Sequence, residues 1–315
     1  MISCIIPCYG SESTISQVIE ELEITFENRQ EDDYEIILVN DCSPDGVLQV
    51  LHELCKNSHK IKIVDLAKNF GQHNAIMAGV NHAVGSTYVF LDDDGQTPAS
   101  EIWKLIDSLD DTCDVVFAEY SNKRHASWRN LGSKVNDYMA EVLIEKPKSL
   151  KLSSYCACKE FVADELRKYD GRYPYLSGLL LRSSKRIKNV PVEHRERSAG
   201  QSGYTMGKLI NLWLNGFTAF SVKPLRIATF TGFSIAIFGF IYGVYVMLRR
   251  LIFSPDTPLG WSSTMAALLF IGGMIMLMLG LIGEYVGRTY ININNSPQFV
   301  VREKIGFEGN FDENE

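Results

Sequence analysis

No Cys-x-x-Cys pair occurs among the seven cysteines (4, 8, 42, 55, 113, 156, 158). Their odd number and their scatter through segments of strand and helix pattern speak against a disulfide framework and for reduced thiols in a cytosolic domain. Cys156 and Cys158 could in principle bind metal or cross-link, but an isolated Cys-x-Cys without further His or Cys partners is most often incidental. There is no Gly-x-Gly-x-x-Gly after the first apolar run and no Gly-x-x-x-x-Gly-Lys-[Ser/Thr] anywhere, which removes a dinucleotide fold and a P-loop. Positive charge is short: 31 Lys and Arg against 38 Asp and Glu leave a formal net charge of −7, which argues against nucleic acid as a partner. The run Ile2 to Pro7 is too short, and has no basic leader, for a signal peptide. Charge is also missing from two long stretches, Ile227 to Leu248 and Met265 to Tyr285, until Glu284 near the end of the second.

Each of these stretches is about long enough to cross a hydrocarbon core of ~30 Å at ~1.5 Å per residue. Core helices of soluble proteins rarely stay uncharged over such a length. Gly232, Gly239 and Gly243 in the first stretch and Gly272, Gly273, Gly280 and Gly283 in the second would let two helices approach closely in lipid. The pattern predicts a two-span hairpin. Its outer turn would be Arg249 to Ser262, where Pro255, Pro258 and Gly260 stop the helix and Trp261 suits the interface. Lys208, Lys223 and Arg226 precede the first span and Arg288, Arg302 and Lys304 follow the second, against Arg249 and Arg250 in the turn. This bias places both termini in the cytoplasm. A further basic group, Arg182, Lys185, Arg186, Lys188, Arg195 and Arg197, suits anionic headgroups.

The first 120 residues alternate two periods. Ser3 to Pro7, Glu35 to Val39, Ile61 to Leu66, Thr87 to Leu91 and Asp114 to Ala118 read as strands. Ser13 to Phe26, Val47 to Cys55, Gln72 to Val84 and the segment from Pro98 to Leu109 read as helices. Such alternation predicts an α/β fold with a parallel-rich mixed sheet, whose ligands bind beyond the carboxyl ends of the strands. Polar residues gather at three of those ends: Cys8 to Glu12, Asn40 to Gly46, and the triple aspartate Asp92, Asp93, Asp94 that follows Tyr88 to Leu91. A continued strand would turn Asp92 and Asp94 to one face, as a D-x-D pair of hard oxygen ligands suited to Mg2+ or Mn2+. Taken alone, the same residues with Gly95 and Pro98 also read as a solvated acidic turn, and Asn40 to Gly46 as an ordinary Asx turn. Three such loops together read as one cleft, in which Asp41 and Glu12 hold a base and ribose and Asp94 reaches a diphosphate through the metal.

The segments IIPCYGSE, VNDCSPDG, KNFGQHNAIMAG, FLDDDGQ and GLIGEYVGR, in this order, resemble the inverting family-2 glycosyltransferases of GT-A fold that charge polyisoprenyl phosphates. That group includes dolichol-phosphate mannose synthase and the undecaprenyl-phosphate sugar transferases. The resemblance covers nearly the whole chain and is strongest to the undecaprenyl-phosphate aminoarabinose type, through EHRERSAGQSGY, KLINLW, the two spans and GEYVGRTY.

The resemblance implies a GT-A domain over residues 1–206, interfacial helices over 207–226, a transmembrane hairpin over 227–286 (spans 227–248 and 265–285) and a cytosolic tail over 287–315, read from Glu303 onward as a mobile end. It implies a multi-pass protein of the inner (cytoplasmic) membrane with a cytosolic catalytic domain, in contact with membrane lipids and assembled as a homo-oligomer, a tetramer by analogy. Pro7, Tyr9, Glu12, Asp41 and Ser43 would bind the nucleotide. Asp92 and Asp94 would hold Mg2+ or Mn2+, Asp94 nearest, with Gln96 beside the sugar. Arg129 and Ser133 would take the acceptor phosphate, and Arg197, Ser202 and Tyr204 would belong to a loop closing over donor and acceptor. The implied reaction moves a sugar from a nucleotide sugar, a UDP-sugar in preference, to a polyisoprenyl phosphate such as undecaprenyl phosphate.

Four positions depart from the family pattern. Gly10 stands where Asn follows the tyrosine, and Ala118-Glu119-Tyr120 replaces Gly-x-Arg, which leaves Lys123 or Arg124 as substitutes. Ser154 to Ala157 replaces Gly-Asp-Phe-Arg, and Gly203 follows Ser202 where Lys is common. These leave the sugar open and keep a non-catalytic paralogue in view. A processive polysaccharide synthase would share the aspartate cleft but needs a Gln-x-x-Arg-Trp motif, and no Arg-Trp pair exists in the chain.

Overall fold

The alternating periods of the amino-terminal half fold into the predicted α/β order in this computed structural model, which describes residues 1–120, 141, 146–193, 223–253, 261–293 and 297–307. Strands β1 (Ile2–Cys8), β2 (Tyr34–Asn40), β3 (Ile61–Leu66) and β4 (Thr87–Phe90) alternate with helices α1 (Ile15–Asn28), α2 (Val47–Asn57) and α3 (Gln72–His82). A 3-10 turn Ala99–Glu101 and α4 (Ile102–Ile106) lead to β5 (Val115–Tyr120). Then follow β6 (Cys156–Lys159), α5 (Glu160–Arg167), α6 (Leu176–Ser183) and β7 (Ile187–Val192). Two long helices, α7 (Lys223–Phe253) and α8 (Trp261–Ile293), precede a last strand, β8 (Val301–Ile305).

The strands form one eight-stranded sheet in the order β7-β5-β6-β4-β1-β2-β3-β8. β1 pairs in parallel with β2 and β4, β2 with β3, and β5 with β7; β6 runs antiparallel to β4 and β5, and β8 antiparallel to β3. The central strands read as continuous apolar runs because helices cover both faces. Ile5, Ile6, Ile36, Ile37, Leu38 and Val39 are all fully buried. On α1, Ile15, Val18, Ile19, Leu22 and Phe26 make the buried stripe that the spacing predicts.

Two expectations are corrected. β4 ends at Phe90, and the aspartates lie beyond it in a turn, so strand alternation does not set their directions. The cause is local: the Gln96 amide donates to Asp94 Oδ1 at 3.0 Å, closing an Asx turn, and Gly95 takes φ 71°. The segment from Glu303 is not a free tail as far as the described residues run. Val301–Ile305 joins the sheet edge beside β3 and, by sequence, returns to the unit of Met1–Lys208 after the second unit, Leu209–Asn295.

In that second unit α7 and α8 are 31 and 33 residues long. Within α8 the window Phe270–Gly287 is long and apolar enough to cross a membrane. Phe230, Phe238 and Met276 are each more than 70% exposed. The hydroxyls of Thr229, Ser234 and Thr289 donate to the carbonyls of Leu225, Phe230 and Tyr285 one turn back, and so need no water. Of the glycines expected to allow close packing, Gly232 faces Met278, whose Cε would lie 3.9 Å from an added Cβ. Gly239, Gly272, Gly273, Gly280 and Gly283 have nothing within 4 Å. The expected turn from Arg249 to Ser262 is narrower: α7 continues to Phe253 and α8 begins at Trp261, while residues 254–260 and most of 207–226 lie outside the described residues.

Candidate active site

β1, β2 and β4 run in parallel, so the loops after Cys8, Asn40 and Phe90 rise from the same edge of the sheet. The first two are tied by reciprocal bonds. The Gly10 amide donates to Ser43 Oγ at 2.8 Å, the Glu12 amide to Asp45 Oδ2 at 3.0 Å, and the Gly46 amide to Glu12 Oε2 at 2.9 Å. Ser43 Oγ in turn donates to Asp45 Oδ1 at 2.5 Å. A Cβ at Gly46 would sit 2.8 Å from Glu12 Oε1, so a side chain there would push the Glu12 carboxylate aside. Gly10 has φ 69°, the left-handed region that glycine and asparagine tolerate best, so its replacement of the family's Asn keeps the backbone. The third loop joins through Asp93, which accepts from the Tyr9 amide at 2.9 Å and whose carbonyl takes the Thr14 hydroxyl at 2.7 Å.

Asp41 is 2% exposed, and its two carboxylate oxygens accept from the amides of Phe70 and Gly71 at 2.7 and 2.8 Å. It thereby holds the loop that starts α3. Burial raises its pKa against those two bonds. Burial also raises Asp45, but the Ser43 hydroxyl and the amides of Glu12 and Val47 outweigh it and leave the group below its ordinary value. Asp92 accepts from Gln72 Nε2 at 2.8 Å and from Ser154 Oγ at 2.5 Å. Burial, reinforced by repulsion from Asp94 and Asp93, pushes Asp92 up to about 6 despite those bonds, and Asp93 is raised by burial as well. Crowded, partly desolvated carboxylates of this kind favour a cation between them. Tyr120, standing where the family has arginine, accepts from Ser153 Oγ at 3.3 Å, and burial pushes its hydroxyl up to about 12, so it stays neutral.

The three loops therefore bring Tyr9, Glu12, Asp41, Ser43, Asp92, Asp94 and Gln96 to one edge of the sheet, while Pro7 lies buried within β1 just before its end. Arg129, Ser133, Arg197, Ser202 and Tyr204, with Lys123 and Arg124, lie outside the described residues. The sequence reading gave no role in the cleft to Asp93, Asp45, Gln72 or Ser154, whose partners sit in other loops. Asp45 carried a usable signal, since an Asp before Gly46 is suited to an Asx turn, here closed by the Val47 amide donating to Asp45 Oδ1 at 3.3 Å.

The family model of glycosyl transferase family 2 matches residues 3–163. The chain belongs to that family. It is a glycosyltransferase, and a second family model, the GtrB C-terminal hairpin, matches residues 223–289. The undecaprenyl-phosphate 4-deoxy-4-formamido-L-arabinose transferase of Proteus mirabilis is 33% identical over 97% of this chain and 94% of its own length. An uncharacterized glycosyltransferase of Bacillus subtilis, YkcC, is 29% identical over 97% of this chain and 94% of its own. Among solved structures, glucosyl-3-phosphoglycerate synthase from Mycobacterium tuberculosis, in complex with Mn2+, uridine diphosphate and phosphoglyceric acid, covers 69% of this chain and 75% of its own, with TM-score 0.50 at 16% identity. That likeness supports the GT-A fold. The family-2 match spans β1 to β6 and so includes the strands that carry the three loops.

Proposed function

We propose that this family-2 enzyme transfers a sugar from a nucleotide sugar, a UDP-sugar in preference, to the phosphate of a polyisoprenyl phosphate such as undecaprenyl phosphate, by metal-dependent inverting displacement at the inner membrane. The observation that carries the reading is the 33% identity to the Proteus mirabilis transferase, which runs through the sheet domain and the hairpin alike.

The residues fit a divalent cation. Among the described residues no three His, Cys, Asp or Glu side chains make a complete ligand set. Sites for Mg2+ commonly use one or two carboxylates and take the rest from water and substrate phosphate. Asp94 and Asp92 supply hard oxygens of that type, and the Mn2+ and uridine diphosphate named for the mycobacterial neighbour agree with such a pairing. A bound cation would neutralise the departing diphosphate. Tyr9, 54% exposed at the strand end, offers its ring to the base. Glu12, Asp41 and Ser43 shape the nucleotide loops, and Gln96 stands next to the aspartates for the sugar.

The nucleophile is an oxygen of a lipid monophosphate, anionic at neutral pH, so no strong base is required. Arg129 and Ser133 are the residues assigned to it, with Arg197, Ser202 and Tyr204 closing over the phosphates. Arg129→Ala is expected to raise the acceptor KM far more than the donor KM in steady-state assays; equal increases would point to a folding defect. The deciding experiment supplies purified full-length protein with undecaprenyl phosphate, a panel of labelled UDP- and GDP-sugars, and Mg2+, Mn2+ or EDTA. A lipid-extractable product that EDTA abolishes is expected. No product and no nucleotide binding with any donor would instead assign an inactive paralogue.

A further inference from the structure

β8 meets β3 with a break in register: Asp65 pairs with Glu303, but Leu66 pairs with Val301, so Arg302 is an extra residue on the edge strand. A bulge of this kind re-aims the side chain it carries. Here the guanidinium reaches across the strand pair. Arg302 Nη1 lies 3.2 Å from Asp65 Oδ2, and Nη2 donates to the Ala67 carbonyl at 3.0 Å. Asp65 is 1% exposed at the carboxyl end of β3, and its other oxygen accepts from Asn40 Nδ2 at 2.7 Å. Asn40 Oδ1 in turn accepts from the Ser43 amide at 3.1 Å, and Ser43 Oγ takes the Gly10 amide and donates to Asp45. An unbroken chain of polar contacts thus runs from the strand that follows the two long helices to the loops assigned to the nucleotide.

Burying a carboxylate is costly unless donors satisfy it, and Asp65 has one charged donor and one neutral one. Removing the charged one leaves Asn40 as the one side-chain donor to this buried carboxylate among the described residues. Asn40 would then compete between Asp65 and its bond to Ser43. We propose that Arg302 is a positioning residue for donor binding, acting through Asp65 and Asn40 to hold the Ser43 to Gly46 loop against Gly10 and Glu12. The inference rests on the donor-site reading of that cleft. It makes the carboxyl-terminal strand, beyond the hairpin, part of the apparatus that binds nucleotide.

The test uses the full-length protein in lipid nanodiscs with Arg302→Gln, Arg302→Lys, Asp65→Asn and the double variant Arg302→Gln/Asp65→Asn. Hydrogen exchange is followed at the amides of Gly10, Ser43 and Gly46 and, as a distant control, Val84 and Gly85. Binding of UDP or GDP with Mn2+ is measured by calorimetry. Arg302→Gln is expected to speed exchange at the three loop amides only and to weaken UDP binding roughly tenfold, the usual scale for outer-shell partners. Arg302→Lys should restore part of both. In the Asp65→Asn background the Arg302→Gln change should add little, because the two act along one path. Unchanged loop exchange and UDP affinity in Arg302→Gln would sink the inference, as would faster exchange at Val84 and Gly85 to the same degree, which marks general loosening. Loop exchange that responds while wild-type protein binds neither UDP nor GDP would overturn the donor-site reading itself, and with it the role of Arg302 in binding.

Discussion

Asp92 and His73, the latter in the first turn of α3, illustrate how two side chains can oppose each other in their effect on stability. Asp92 is pushed up to about 6 by burial and its acidic neighbours, so the fold favours its protonated form. Its contribution to stability is complete below about pH 4 and is lost as pH rises through about 6. His73 packs edge-to-face on Tyr175 at 5.4 Å, its Nδ1 meets no hydrogen-bond partner among the described residues, and burial lowers it to about 4. Its contribution is present above about pH 6.5 and is lost as pH falls through about 4. The slopes oppose over the same window. Metal-free protein is therefore expected to show a nearly flat melting temperature between pH 4 and 6 from these two groups. Asp92→Asn should make it rise with pH there, and His73→Gln should make it fall; thermal melts in EDTA decide, and unaltered slopes would contradict the assignment. Asp94→Asn is expected to abolish sugar transfer while the protein stays folded and membrane-bound, and normal turnover would end its metal role.

At the scale of elements, the two ends of the sheet carry different duties. Glu35 on β2 is 3% exposed at the end opposite the cleft, where it accepts from Ser3 Oγ at 2.5 Å, Lys62 Nζ at 2.8 Å and the Val84 amide at 2.7 Å. Three donors make it a clamp between β1, β2, β3 and the turn before β4. Glu35→Ala should cost about 3 kcal/mol in denaturant melts, the scale for breaking a buried charged pair, and leave nucleotide affinity unchanged. The strands and helices of this half were legible because a buried parallel strand is an apolar run and a covering helix repeats every three or four residues. β8 was not. Its sequence, Val-Arg-Glu-Lys-Ile, has three charges in five residues and an edge strand needs only one buried face.

For the whole molecule, a single chain carries a family-2 sheet domain and two long apolar helices. Both spans, with termini in the cytoplasm, make a specific expectation for labelling in intact cells. A fluorescent protein fused at either terminus should mature, and an impermeant maleimide should label Asp256→Cys in the turn. The seven native cysteines, all at or before Cys158, should stay unlabelled. Labelling of Asp256→Cys only after permeabilisation would reject the hairpin topology. Mass measurement in nanodiscs tests the expected homo-oligomer, with four copies per particle the outcome that supports the tetramer.

From the sequence alone come the order of strands and helices in the first 120 residues, the loops that carry polar residues and the two long apolar stretches near the carboxyl end. Each of these depends on the period or composition of neighbouring residues, which a linear reading measures directly. The tertiary structure alone decided that the aspartates leave the strand on an Asx turn, that Asp92 meets Gln72 and Ser154, and that β8 closes the sheet with Arg302 on Asp65, 237 residues away in the chain. Those contacts follow from where the packed sheet brings distant backbones together. A carboxylate carries no local mark of which remote donor will satisfy it once water is removed.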